Sequence, residues 1–494
     1  MLADILGKGY LPAELPPCFS TRNYAAAVMG AQAGLPAGFG GPQMAQLCSY
    51  SLARAGNSRF RRQLSIVNPV NFYALAKLIA TNWVAIDRHV SSSRLSRSRP
   101  TQRPNSERAL SPVIYDRRGL IPEQAKHRAS ARVLLVADIS EFYHSIYTHS
   151  IPWALHTKAY AKSNRGPGIL GNDLDVVTRS SQYGQTIGIP IGPDTSLVIA
   201  ECILAAVETQ VRAKLKNLVG YRFVDDFELC FKDHAAAEHA LAVLQEQLLE
   251  FELRLNPRKT ALHVPPISFE SEWIAELRRF KIRETSGQTG DLVAYFDLMT
   301  RYLLANPNEH VSKYGLRRFT RFKPNPKNLN ILQSLLSHVG VAEPGSIREV
   351  VESLLFLRTQ GCQLDLQLVQ ETLNTVITNS TALGHHYEVS WALWGLVSLN
   401  LALDQSSVAA LPSTDNGVVA IIALDAQQRG LAQNLDVTRW AARMTTQDLR
   451  EDQWLLSYEA NVRNWLPSVS GGDHVTVDSD FSFLKQQNVR FYVP

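Results

Sequence analysis

Val133 to Ile139 reads VLLVADI, an almost unbroken run of branched aliphatic residues with one carboxylate, Asp138, near its end. A run of this kind suits a central strand buried on both faces, so the chain around it must supply a sheet with covering layers. Further along, Tyr221 to Val224 and Phe227 to Phe231 are short aromatic and aliphatic runs joined by Asp225-Asp226. They predict a hairpin with two acids at its tip. An Asp-Asp pair alone is ordinary turn chemistry. Three carboxylates brought in by adjacent strands can do more. Hard Mg²⁺, or Mn²⁺ in its place, takes carboxylate oxygens and phosphates as ligands. Two such ions can activate an attacking 3′-hydroxyl and stabilise a leaving pyrophosphate.

The surroundings of this core divide unevenly. Residues 1 to 60 are rich in Gly, Pro, Ala and Ser without a sustained period and predict an irregular entry region. From Asn71 to Ile86 apolar residues recur at three and four, the pattern of a helix facing a core. Leu197 to Arg212 predicts an amphipathic helix entered through Gly192, Pro193, Asp194 and Thr195, with Asp or Thr as its cap. Ala235 to Leu253 is helical in pattern. Beyond about residue 330 six segments, from Asn328–Val339 to Leu449–Trp465, carry helical periodicity, with a strand expected only at Val489 to Val493. Successive helices without a strict repeat predict an irregular α-solenoid or bundle.

At 494 residues the chain exceeds what one hydrophobic core organises, which implies a multi-lobed unit or two to three domains. A mean hydropathy of -0.11, with 45% hydrophobic and 19% charged residues, excludes a disordered or collagen-like chain, and no apolar run is long enough to span a membrane. The N-terminus carries no long apolar segment of the secretory kind, so a cytoplasmic location is expected. Five scattered cysteines without a CxxC argue against a disulfide framework or zinc site. The net charge of +5 is mild, but its distribution is not. Between Arg88 and Arg132 eleven Arg or Lys face only Glu107, Asp116 and Glu123. That stretch predicts phosphate contact, or else a solvated loop. Arg317, Arg318, Phe319 and Arg321 interleave cations with a ring, suited to nucleic acid or to a basic linker. His144, His149 and His156 lack metal-ligand spacing and are expected to be structural.

Four blocks in order, VADISEFYHSIY, IGIPIGPDTS, YRFVDDFEL and LRLNPRKT, resemble motifs A, B, C and D of the reverse transcriptase family, over roughly residues 130–260. The resemblance implies an α/β right-hand polymerase of palm and fingers, here followed by the all-α solenoid-like or bundle C-terminal domain. The expected division is residues 1–132 for the N-terminal and fingers region, 133–265 for the palm, 266–330 for a thumb-like or connecting region and 331–494 for the helical domain.

Carried over by position, Asp138, Asp225 and Asp226 would be catalytic and metal-binding, with the carbonyl of Ile139 a further ligand. Tyr143 would abut C2′ of the incoming sugar and favour dNTPs. Pro190, Ile191 and Gly192 would form the nucleotide platform, and Lys259 would neutralise or protonate the pyrophosphate. Arg128 and Arg132, just before motif A, are expected to touch the triphosphate. Ile191 stands where many templated members carry Gln. The stretches GYLPAELPPCF, NPVNFYALAKLIATNW and SIYTHSIPWALHTK resemble the bacterial abortive-infection and defence-associated branch. That branch implies DNA synthesis from dNTPs in antiphage defence, untemplated or from an RNA or noncoding RNA template, in some members primed by a protein tyrosine, and a homo-oligomer. The alternatives are a conventional RNA-templated enzyme, retron-like or intron-derived, and an inactive nucleic-acid-binding scaffold.

Overall fold

The computed structural model describes the chain except residues 32–33, 55–56, 104 and 115–116, and except the side chains of 54, 57–59 and 117. Strand β1, Cys48–Arg54, and β2, Asn57–Ile66, form an antiparallel hairpin that begins within the stretch expected to be irregular, residues 1 to 60, and runs past it. Its sequence signal was the alternation around Tyr50 and Leu52, of which Tyr50 is fully buried. The helix expected over Asn71–Ile86 is two helices, Pro69–Thr81 and Trp83–Val90. They break at Asn82, whose side-chain amide donates to the Leu78 carbonyl at 2.9 Å and so competes with helix continuation.

The central sheet has four strands: β3, Val133–Asp138; β4, Val219–Phe223; β5, Asp226–Phe231; and β6, Ala261–His263. Their spatial order is β4-β5-β3-β6, all antiparallel. Leu135, Ala137, Phe227 and Leu229 point to one face and join the main core with residues of helix α1, Asp194–Lys214, and helix α2, His234–Leu249. Asp233 caps α2 through the Ala236 N–H. No such side-chain cap starts α1: Asp194 instead accepts from the Arg108 guanidinium and the Leu110 N–H.

Beyond β6 the named elements are all helical. Helix α3, Ile347–Thr359, helix α4, Leu366–Thr381, and helix α6, Gly417–Gln428, pack around α5, His386–Leu399, and helix α7, Trp454–Val462, packs on α6. The expected strand at Val489–Val493 is absent; Tyr492 makes only an isolated bridge with Phe19.

The β1–β2 hairpin is fastened to these helices. Arg61 forms two bonds to the Glu388 carboxylate, 2.9 and 2.6 Å, and Glu388 is fully buried. Tyr50 bonds Ser390 at 2.6 Å, Asn416 donates to the Ser49 carbonyl at 2.6 Å, and the Gln46 N–H donates to the Arg450 carbonyl at 2.8 Å.

Candidate active site

Asp138 ends β3 and Asp226 begins β5, and the two are cross-strand partners. Directly opposite residues of an antiparallel pair share a face, with Cβ atoms about 4.5–5.5 Å apart. The hairpin tip differs from expectation: strands end at Phe223 and resume at Asp226, leaving Val224 and Asp225 as the loop. Only Asp225 is therefore at the tip. Its carbonyl accepts from the Ile139 N–H at 3.3 Å, which ties the hairpin loop to the residue that follows Asp138.

On the other side of β3, the Asn256 N–H donates to the Asp138 carbonyl at 2.7 Å, strapping the Leu255–Lys259 segment to the strand end. Asn256 Nδ2 then donates to Asp138 Oδ1 at 3.1 Å, and Lys259 Nζ reaches Asp138 Oδ2 at 2.8 Å. Asp225 feels the crowding. Burial first, then the charges of Asp226 and Asp138, push its carboxyl up to about 6, with Lys259 opposing weakly.

Among the described residues no three His, Cys, Asp or Glu side chains stand together as a ready-made metal cage. Asp138 accepts one bond at each oxygen, from Asn256 and Lys259, and the Lys259 ammonium at Oδ2 opposes a cation at that oxygen by like charge. The donor set itself fits a divalent cation: hard carboxylate oxygens on neighbouring strands, with an excess of negative charge that burial amplifies.

Tyr143 lies in the short helix Phe142–Ser145, one turn past Asp138. Its carbonyl accepts from the Ile189 N–H at 2.9 Å. Its phenol is pushed upward by burial first and then by the charges of Glu201 and Asp225, while the neighbouring Phe142 is core. The 188–192 segment is held tightly. Gly188 donates to the Ile146 carbonyl at 2.7 Å and Ser196 Oγ to the Pro190 carbonyl at 2.5 Å, while the Ile191 carbonyl accepts from Ser65 of β2 at 2.8 Å. Gly192 has φ +131°, and a Cβ there would lie 2.6 Å from Pro12 Cγ, so only glycine fits. Arg108 closes the platform with bonds to the carbonyls of Leu11 and Gly192, 2.7 and 2.8 Å.

The arginine expectations fare differently. Arg128 has its carboxylate partner two positions along β5 from Asp226. It is spent on Glu228, 2.8 and 2.7 Å, stacks 4.8 Å from the Phe269 ring centroid and donates to the Ser268 carbonyl. Arg132 is exposed at the far end of β3, six residues from Asp138, about 20 Å at strand rise. Elsewhere in the basic stretch Arg97 pairs with Glu123 and Arg108 with Asp194. Asp116 and the Arg117 side chain lie outside the described residues.

Phe319 is fully buried against Tyr295, Phe296 and Phe322 and is no stacking platform. Arg318 donates to the Phe280 carbonyl at 3.1 Å and lies over Tyr295, while Arg317 and Arg321 are exposed. Residues the sequence reading passed over include Asn256, within the LRLNPRKT block itself, and Arg62, in the FRRQ run of β2. The charge of Arg62 reaches Tyr143 and favours its phenolate.

Among the described residues no helix is long and apolar enough to cross a membrane. No curated protein matches the chain. Residues 57–282, which contain the acids, the glycine platform and Lys259, match the family model described as Reverse transcriptase (RNA-dependent DNA polymerase).

Proposed function

We propose that the protein is a reverse-transcriptase-type DNA polymerase of bacterial antiphage defence that works in the cytoplasm as a homo-oligomer. The observation that carries the polymerase reading is the meeting of Asp138, Asp226 and Asp225 at one end of the central sheet. Asp138, Asp225 and Asp226, with the Ile139 carbonyl, would hold Mg²⁺ or Mn²⁺, which when bound activates the attacking 3′-hydroxyl and neutralises the departing pyrophosphate. Tyr143 limits the space at the sugar and selects dNTPs. The rigid Pro190–Gly192 backbone supports the nucleotide. Lys259, 64% exposed and on a flexible arm, moves from Asp138 to the pyrophosphate and supplies charge or a proton.

Placement in the defence branch rests on the likeness of stretches outside the acids, on Ile191 in place of a polar side chain, and on the helical half. Purified protein treated with nuclease is incubated with Mg²⁺ and each labelled dNTP, alone and with added RNA template. Incorporation lost in Asp225→Asn and Asp226→Asn supports the polymerase reading; incorporation surviving both rejects it. Product made without added template, and phage resistance lost in the same variants, support the defence reading. A strict template requirement with no effect on phage growth replaces it with the conventional RNA-templated enzyme.

A further inference from the structure

Val224 has φ +52°, whereas Asp225 stays at negative φ. A two-residue hairpin loop with positive φ at its first position is built for glycine there. A β-branched residue pays about 1–3 kcal/mol to stay in that conformation, so something must hold it. The sequence breaks a turn rule immediately before Asp225.

What holds it lies beneath the loop. The Val224 N–H donates to Ser98 Oγ at 2.7 Å, and its carbonyl accepts from Arg222 Nη1 at 2.9 Å. Both partners converge on Glu201 of α1. Arg222 reaches its two oxygens at 2.8 and 3.0 Å, and Ser98 Oγ donates to Oε1 at 2.7 Å. Ser98, Arg222 and Glu201 are all fully buried. With its proton committed to the carboxylate, the Ser98 hydroxyl can only accept from Val224, so the clamp has a fixed direction. Ser98 itself is anchored, because its segment runs along the edge of β4: the Arg97 N–H donates to the Arg222 carbonyl at 2.7 Å and the Arg222 N–H to the Leu95 carbonyl at 2.8 Å.

We infer that Ser98, oriented by the buried Arg222–Glu201 pair, is a positioning residue that clamps Val224 in its left-handed conformation and thereby fixes Asp225 against Asp138 and Asp226. This deepens the polymerase reading and rests on it.

Ser98→Ala removes the acceptor and leaves Glu201 with Ser96 and both Arg222 bonds, so the fold is retained. Three measurements test the clamp. In dNTP incorporation, Ser98→Ala lowers kcat about tenfold with KM for dNTP within about twofold, the scale of one buried donor left unsatisfied. In a Val224→Gly background, where φ +52° needs no clamp, the same substitution changes kcat by less than about twofold. Mn²⁺ binding followed by electron paramagnetic resonance weakens in Ser98→Ala and not in Ser98→Ala/Val224→Gly. Equal losses in both backgrounds, or no loss in either, overturn the inference. The Mn²⁺ arm and the Val224 amide of the wild-type chain judge the clamp even if no variant incorporates nucleotide: slow hydrogen exchange at that turn amide supports it, and exchange at the rate of an open turn overturns it. Absence of Asp225-dependent incorporation by the wild type would instead sink the polymerase reading alone.

Discussion

Replacing Lys259 by Met should move two kinetic quantities in opposite directions. Nζ sits 2.8 Å from Asp138 Oδ2, with the lysine side chain 64% exposed and the aspartate 7%. At that separation full solvent screening leaves a Coulomb attraction of about 1.5 kcal/mol. Exposed pairs retain at most about 1 kcal/mol after ordering costs. A divalent ion that takes the same oxygen must displace the ammonium, so Lys259→Met should lower the Mg²⁺ concentration for half-maximal activity about fivefold. The chemical step should slow by about 10²-fold, because the charge or proton delivered to pyrophosphate is gone. The assay is labelled dNTP incorporation over a Mg²⁺ titration at constant ionic strength, with Lys259→Arg as the charge-retaining control. The shift in Mg²⁺ requirement should shrink as salt is raised. An unchanged or higher Mg²⁺ requirement in Lys259→Met would refute the competition between lysine and metal for Asp138.

Three further outcomes are expected. With chelator present, Asp225→Asn should be more stable than wild type at pH 7. The Asp225 carboxyl is raised from 3.8 to about 6, so ionising it costs stability as pH rises through that window, by about 2–3 kcal/mol; the gain should vanish below about pH 4, as read by urea unfolding at several pH values. Arg61→Ala should destabilise by about 3–5 kcal/mol, since Glu388 is left fully buried and unpaired, whereas Arg61→Leu/Glu388→Leu should lose far less; a double-mutant cycle in denaturant measures the difference. Gly192→Ala should raise KM for dNTP at least about tenfold with unchanged circular dichroism, because both φ +131° and the 2.6 Å approach to Pro12 Cγ must be relieved by moving the platform.

The strands and the long helices were readable because burial imposes a period. VLLVADI is covered on both faces and the helices between Leu329 and Val462 each bury a stripe. The acids were readable for the same reason, as carboxylates interrupting apolar runs. The role of the arginines was not. Whether Arg128 meets phosphate or Glu228 depends on what stands across the sheet, and Glu228 lies 100 positions away in the chain. A charged residue advertises its chemistry but not its partner. Phe319 misled similarly, since an aromatic among cations reads as a stacking surface until its three ring neighbours are known. The β1–β2 hairpin was missed because its charged strand FRRQ is balanced by Glu388, on a helix more than three hundred residues later. Ser98 looked like part of a solvated basic loop, and only its burial under the Val224 turn separates it from that reading.

The fastening of the β1–β2 hairpin to the distal helices has a bearing on how nucleotides are chosen. A hairpin that folded down over each incoming nucleotide would have to drag the His386–Leu399 helix with it or break the Arg61–Glu388 contact at about 3–5 kcal/mol per cycle. Ser65 of the same hairpin donates its N–H to the Ile191 carbonyl, so the hairpin is also tied to the segment proposed to support the nucleotide. Under the proposed function these ties disfavour selection by a closing lid and leave the sorting to the shape set at folding.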